Sequence, residues 1–413
     1  MLKADVRPTA TTARPRRSML SAILVALALL PAGAAQAITG GAGNGPQTTL
    51  DSAFDRQGMW IWYVDSSSGG SPASIIAQAR RSDVGTVYIK AADGGSSWSQ
   101  FTTALVNRLH RGGLAACAWQ YVYGDHPLAE AKVGAAAVAK GADCLVIDAE
   151  SEYEGKYAAA DRYIRALRAR IGAAFPLALA GFPYVDYHPG YPYSVFLGPG
   201  GAQYNQPQMY WKAIGTSVRG VYEHTYLFNR VWDRPIYPIG QTYENPGRRQ
   251  IKRFRRFAIS YGGQPPSWWS WQETNTVEWN ALGSTTAGAI TGYRPITAQP
   301  LLKRGSRGDL VVWAQMHLVG SGERQLPVTG IFGLKTYRAV RSFQTGAGLR
   351  ADGVIGSATW RRLLRVAPYR PHWAGSARPA ARAARAVGPA RPRAPLSATL
   401  PAKADELAAK PGP

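Results

Sequence analysis

Two carboxylic acids stand two residues apart in Leu145-Val146-Ile147-Asp148-Ala149-Glu150, where an apolar run with the make-up of a buried strand ends. Alternate residues of a strand share a face, so Asp148 and Glu150 would project together, their Cα atoms about 6.5 Å apart at ~3.3 Å per residue. Such a pair suits work at a glycosidic bond. One acid gives the leaving oxygen a proton, and the other, ionised, stabilises positive charge at the sugar carbon. Mutual repulsion raises one pKa and so separates the roles. The same residues could equally solvate a loop or cap a helix; what surrounds them decides. Gln208, Tyr210, Gln241, Tyr243 and Glu273 also fall at the ends of strand-like runs and are candidates to hydrogen-bond a substrate.

Apolar runs alternate with helical patterns around this pair. The runs are Met59–Val64, Thr86–Lys90, Ala115–Tyr121, Cys144–Ile147, Leu177–Ala180, Gln208–Trp211, Ile236–Ile239 and Trp268–Trp271. Amphipathic stretches such as Ala73–Arg81, Phe101–Leu109, Ala129–Ala139 and Ala160–Ile171 lie between them. Continuous apolar strands alternating with helices predict a parallel sheet covered on both faces. Eight such units fit a (β/α)₈ TIM-like barrel, expected over residues 55–292, with its chemistry at the C-terminal strand ends. No G-x-G-x-x-G or P-loop supports nucleotide binding.

Tryptophan is concentrated near those strand ends: Trp60, Trp62, Trp98, Trp119, Trp211, Trp268, Trp269 and Trp271. Flat apolar faces with a polar N–H stack well on sugar rings, and Trp62 and Trp271 are the candidate platforms. The six histidines form no H-x-E or H-E-x-x-H, which weighs against a zinc amidase or peptidase; no metal or cofactor is expected. The two cysteines, Cys117 and Cys144, begin two predicted strands and read as buried free thiols.

Near the other end one pattern occurs twice. Thr329-Gly330-Ile331-Phe332-Gly333-Leu334-Lys335-Thr336 is echoed by Asp352-Gly353-Val354-Ile355-Gly356-Ser357-Ala358-Thr359, each running into a helical pattern. With Val311, Gln315 and Leu318 upstream, residues Gly308–Leu363 resemble the three-helix peptidoglycan-binding module, departing from it at Ala314 and Thr329. The resemblance implies a small all-α domain over 300–366 that binds peptidoglycan. About 65 residues, with Val311, Leu318, Phe332, Val340, Phe343, Val354 and Leu363 as core, suffice for independent folding.

Around the carboxylate pair the chain resembles glycoside hydrolase family 25, the D-x-E lysozymes. Val87-Tyr88-Ile89-Lys90-Ala91-Ala92-Asp93-Gly94 is similar to that family's second strand, Ala118-Trp119-Gln120-Tyr121 to its third, Leu145–Glu150 to its fourth, and Trp271-Gln272 to its eighth. The resemblance implies Glu150 as proton donor, Asp148 as its partner, and Asp93 and Gln272 among the groups lining the site. One departure is serious. The family's first strand carries an active-site Asp, and Trp60 stands there; Asp65, at the end of the same strand, is the nearest substitute. Two functions therefore stay open: an exported peptidoglycan hydrolase of muramidase type, or a degenerate barrel that binds glycan or organises the wall without cutting.

The N-terminus agrees with export. Arg14, Arg16 and Arg17 precede an apolar run from Met19 to Leu30, then Pro31 and Ala35-Gln36-Ala37, the build of a secretory signal peptide over 1–37. That run is about 12 residues, short of the ~20 that span a bilayer, and Arg16-Arg17 also fits a twin-arginine route. A linker over 38–54 would follow, and no integral membrane segment is expected in the mature, secreted or wall-associated chain. The formal charge of +23 suits anionic partners. A Pro/Ala/Arg-rich tail over 367–413 cannot bury a core and is expected to be disordered, with anionic wall polymers rather than nucleic acid as its partner.

Overall fold

The computed structural model describes residues 52–373. The expected signal peptide, most of the linker and the tail from 374 onward lie outside them.

Eight parallel strands form the barrel: β1 (Gly58–Ile61), β2 (Thr86–Asp93), β3 (Ala115–Val122), β4 (Leu145–Ala149), β5 (Leu177–Gly181), β6 (Tyr204–Pro207), β7 (Ile239–Gln241) and β8 (Ser267–Trp269). Their spatial order is β6-β5-β4-β3-β2-β1-β8-β7. Single bridges Asn205↔Ile236 and Gln208↔Ile239 nearly close β6 onto β7. The helices that return the chain are α1 (Pro72–Arg81), α2 (Thr103–Arg111), α3 (Pro127–Val138), α4 (Tyr157–Ile171), the short α5 (Tyr193–Phe196) and α6 (Trp211–Ile214), α7 (Val218–Asn229), α8 (Gly247–Tyr261) and α9 (Thr276–Leu282). This is the expected (β/α)₈ barrel.

Side-chain alternation divides the strands into two cores. Met59, Ile61, Val87, Ile89, Leu145, Ile147, Leu177 and Leu179 face the helices. Trp60, Tyr88, Cys117, Trp119, Val146, Ala178, Ala180, Ile239 and Trp269 fill the barrel instead. Small residues on β5 leave room for indoles from β1, β3 and β8, so volumes match across the interior. Each buried indole removes about 200 Å² from water, about 5 kcal/mol at ~25 cal/mol per Å². The expected linker reaches too far. Ser52 caps the 3₁₀ turn Ala53–Asp55 in a capping box, and Phe54 is buried against Tyr88, Tyr204 and Tyr237.

Two expectations fail for reasons of register. The sixth strand is Tyr204–Pro207, not Gln208–Trp211, where Trp211 already begins α6. Its buried Asn205 and Gln206 disguise it as a loop; Asn205 Nδ2 donates to Asn229 Oδ1 (2.9 Å) and Gln206 Nε2 to the Tyr88 hydroxyl (3.3 Å), while the side-chain oxygens of both have no protein partner among the described residues. The cysteines are not free thiols. Pairing of Ala118 with Leu145 sets Cys117 beside Cys144, and they form a disulfide (S–S 2.06 Å) inside the barrel.

The C-terminal helices are α10 (Asp309–Gly320), α11 (Leu334–Gly346) and α12 (Ser357–Leu363). A glutamine pins each copy of the repeated turn. Gln315 Oε1 accepts from the amides of Thr329 (2.8 Å) and Gly330 (2.9 Å), while its Nε2 donates to Ile331 O (3.0 Å) and Thr336 Oγ1 (2.9 Å). Gln344 repeats this on Gly353 N (2.8 Å), Val354 O (2.9 Å) and Thr359 Oγ1 (3.1 Å). Gly330 and Gly353 sit at φ of 71° and 73°, where a side chain is strained. The written repeat is thus a repeated hydrogen-bond device.

The expectation that 300–366 stands alone meets α10, which is buried on all sides from Asp309 to Leu318. A helix apolar all round belongs inside a larger core. Trp313 packs on Trp232 (5.5 Å) and donates to Val231 O (2.6 Å) in the barrel. Asp309 accepts from Ser194 N (2.8 Å) and Ser194 Oγ (2.5 Å), and burial pushes its carboxyl up to about 7 against those bonds. The expected tail also begins too early, since Arg370 pairs with buried Asp161 (3.0 Å) and Trp373 packs at a tilt against Tyr157 (4.7 Å). Among the described residues, no helix is long and apolar enough to cross a membrane.

Two outcomes follow. Calorimetry of the full chain should show barrel and helical domain unfolding together, and Trp313→Ala should cost about 3–5 kcal/mol and split the transition. Replacing Cys117 and Cys144 by Ala should lower the unfolding free energy measured in urea by about 3–4 kcal/mol, from the lost constraint on the unfolded chain.

Candidate active site

The barrel's filling stops at its C-terminal mouth, where the inward-facing row of β4 continues from Val146 to Asp148. Asp148 lies level with Tyr121 of β3 and Ala180 of β5. Glu150 follows one step beyond the strand, at the start of the 3₁₀ turn Ser151–Tyr153. Gln208, just past β6, is anchored by its own amide on Gly181 O (3.0 Å). Its Nε2 donates to both acids, to Asp148 Oδ1 at 3.1 Å and to Glu150 Oε1 at 3.0 Å. One amide group therefore holds the two carboxyls side by side, as their spacing predicted.

Their electrostatics follow from the wall around them. Burial pushes the Glu150 carboxyl up to about 7; the Gln208 bond opposes this and Glu152 adds to it. Asp148, buried, is raised by desolvation first and by the charge of Glu150 second, with Lys90 pulling the other way. Lys90 is the nearby cation that motif reading left without a role. Its Nζ is buried 2.6 Å from Asp93 Oδ2 and lies 4.4, 4.5 and 5.0 Å from the ring centres of Trp62, Trp98 and Trp119. The indole faces stabilise a cation that water cannot reach. Asp93 also accepts from the Tyr123 hydroxyl (2.8 Å), and Glu152 from the Tyr121 hydroxyl (2.9 Å). Tyr121 closes the third-strand motif, which assigns it no role, and Tyr123, just past β3, carries no motif.

The remaining candidates divide. Tyr210 and Tyr243 meet edge to face at 5.5 Å, and the charges of Asp148, Glu150 and Glu273 all act on Tyr210. Glu273 accepts from Ser270 Oγ (3.1 Å), and burial raises its carboxyl. Trp62 is half-buried against Trp119 and Trp269. Gln241 is buried and accepts from Lys212 N (2.7 Å), tying the start of α6 to the end of β7. Gln272 does likewise for β1, donating to Tyr63 O (2.6 Å) and Ser67 Oγ (2.8 Å).

Two expectations do not hold. Trp271 is no platform at the mouth: β8 ends at Trp269, so Trp271 turns outward, buried against Trp279 (4.9 Å) and bonded to Ser68 Oγ (3.2 Å). Asp65 is exposed and has no contact with the pair, because β1 ends at Ile61 and the chain has left the sheet. Asp93, bonded to Lys90 and Tyr123, is near enough for its charge to act on Asp148. Among the described residues no group of three or more His, Cys, Asp or Glu could hold a metal ion.

Because the Gln208 bond holds Glu150 down, Gln208→Met should raise the Glu150 pKa above about 7. Carboxyl-carbon NMR titration of labelled protein reads this directly; an unmoved midpoint would show that the amide does not couple to Glu150.

Residues 307–363 match the family described as "Putative peptidoglycan binding domain". An uncharacterized protein of Kitasatospora aureofaciens is 39% identical over 93 residues, covering 20% of this chain and 77% of that protein. The zinc D-Ala-D-Ala carboxypeptidase of Streptomyces albus G is 35% identical over 88 residues, 21% of this chain and 34% of that enzyme. The spore cortex-lytic enzyme of Bacillus subtilis is 37% identical over 70 residues, 17% and 23% respectively. The chain thus spans about a third or less of either enzyme's length. Among solved structures, a β-mannanase from Streptomyces thermolilacinus has a TM-score of 0.42 at 13% identity, covering 57% of this chain and 92% of that one. A likeness of that degree says nothing of chemistry. The chain and the Kitasatospora protein belong to one family, and residues 307–363 of this chain are a member of the peptidoglycan binding domain family, joined to a parallel (β/α)₈ barrel.

Proposed function

We propose that this chain, secreted or held at the cell wall, binds peptidoglycan and cleaves its glycan strands at the barrel mouth, in a muramidase-like hydrolysis. The observation that carries this reading is the Gln208 amide holding Asp148 and Glu150 together, in a chain with a peptidoglycan binding domain. Glu150, raised to about 7, keeps its proton where an ordinary glutamate has lost it, as a proton donor to the leaving oxygen must. The glycosidic C–O bond breaks as that oxygen takes the proton. Water then adds its hydroxyl to the sugar carbon and returns its proton to the carboxylate. Asp148 stabilises the positive sugar carbon or orients the substrate's acetamido group. Trp62, Tyr210 and Tyr243 are the faces against which sugar rings would stack, and Gln208 and Glu273 the polar groups that would position them. The expected domain limits, 55–292 for the barrel and 300–366 for the binding domain, serve as a working division of labour.

A second reading rests on Trp60. It occupies the place of the related lysozymes' first-strand Asp, buried among Tyr88, Trp119 and Trp269 with its Nε1 on Ser267 Oγ (2.9 Å). A mouth lacking that carboxylate would bind glycan without cutting it.

Reducing-end release from purified peptidoglycan distinguishes the two. Wild type should release reducing ends, and Glu150→Gln should lower the rate by a factor of about 10²–10⁴ without loss of sedimentation with the polymer. Since the donor must be protonated, the rate should fall as pH rises through about 7. Equal inertness of wild type and variant at every pH, with binding intact, would overturn hydrolysis and leave the binding reading.

A further inference from the structure

α8 reads Gly247-Arg248-Arg249-Gln250-Ile251-Lys252-Arg253-Phe254-Arg255-Arg256-Phe257-Ala258 before its last turn. Ile251, Phe254, Phe257 and Ala258 are buried against the barrel. Arg248, Lys252 and Arg256 follow one another at i, i+4 and i+8, with Arg249 and Arg253 forming a second column at i+1 and i+5. Residues four apart are neighbours on a helix surface, so the five cations make one stripe about 12 Å long at 1.5 Å per residue. Arg248, Arg249 and Arg253 are exposed and Lys252 is half-exposed.

This stripe opposes the helix that carries it. Like charges at i, i+4 cost about 0.2–0.5 kcal/mol a pair, and cations in the first turn face the positive end of the macrodipole. No acidic residue in that first turn relieves them. Nearby carboxylates are engaged elsewhere: Glu278 accepts from Gly247 N, Glu244 from Gln241, and Asp83 lies 3.9 Å from Arg255. Among the described residues, Arg248, Arg249, Lys252 and Arg253 take part in no ion pair. Arg256 uses its guanidinium on the carbonyls of Gly288 and Ala289 (3.2 and 3.1 Å), which fixes the far end of the stripe. Arg253 lies over the Phe257 ring, 5.6 Å from its centre, but cations kept at a local cost with no anionic partner in the fold point to a partner outside it.

We infer that the exposed face of α8 is a binding surface for a phosphodiester-bearing anionic polymer of the cell wall. Guanidinium predominates over ammonium along it, and its planar fork suits phosphate oxygens. A linear stripe fits a linear chain of regularly spaced charges better than a single anion. Its start lies just beyond the loop after β7, whose Tyr243 borders the mouth, so such a polymer would run from the rim of the glycan site down the outside of the barrel. The choice of a wall polymer over other polyanions rests on the proposed function; the cationic stripe itself does not.

The test uses the full chain and a variant with Arg248, Arg249, Lys252 and Arg253 all changed to Gln. None of the four has a side-chain hydrogen bond or ion pair among the described residues, so fold and thermal midpoint should be kept. Anisotropy of a labelled poly(glycerol phosphate) should show wild-type binding that weakens with salt. The variant should bind about tenfold or more weakly, with a log–log salt slope smaller by about 3 or more, roughly one per lost phosphate contact. Polyglutamate of equal charge, duplex DNA and anionic phospholipid vesicles are run beside it. Equal affinity of wild type and variant for the poly(glycerol phosphate) would overturn the proposal, as would tighter binding of any of those three. Sedimentation with peptidoglycan stripped of phosphate polymers should be the same for both proteins. Failure of both to sediment would count against the wall reading alone, since the anisotropy measurement reports on α8 independently.

Discussion

The packing of indole rings inside the barrel is the constraint on which the site depends. Trp60, Trp119 and Trp269 meet within 5.5 to 5.8 Å of one another and are buried. A dry floor makes a carboxylate directly above it costly to ionise, and it does so before any neighbour acts. One of these rings, Trp119, also faces Lys90 together with Trp62 and Trp98, so connected aromatic packing disfavours negative charge at the mouth and accommodates a buried positive charge beside it. Fold and electrostatics are here one arrangement.

What could be read in advance was whatever obeys a period. The barrel, its long strands, the D-x-E pair and the doubled turn all rest on spacing of two, of four or of a fixed repeat. What escaped depends on where an element stops or which strands lie side by side. Trp271 was a candidate platform, but the strand ends at Trp269, which points inward, and sends Trp271 under the helices. β6 carries Asn205 and Gln206 inside, so no apolar run announced it. The disulfide required knowing that β3 and β4 are neighbours in a given register, and no count of intervening residues supplies that. Lys90 was visible in a motif, yet its burial is evident only once three indoles from separate segments converge on it.

The helical domain offers the same lesson from the other side. Its repeat is legible because Gln315 and Gln344 each need a turn of one shape, with Gly330 and Gly353 at its bend. Its dependence on the barrel was not, because Leu310, Val312, Trp313 and Met316 suit a small self-contained core and a shared one equally. Only the packing of Trp313 on Trp232, and of Asp309 on Ser194, distinguishes them.

That shared core changes what a second binding domain can do. A domain on a loose tether raises local concentration over a range of distances, whereas one with no slack either matches the span between sites or contributes nothing. Here Asp309, Trp313 and Arg370 fasten the domain to the barrel at separate points, so the distance from the domain to the mouth is a constant of the fold. Under the proposed function, a polymer gripped at one end would meet the carboxylates at a single position along its length. The molecule would then work as a gauge, measuring its substrate from the point where it holds it.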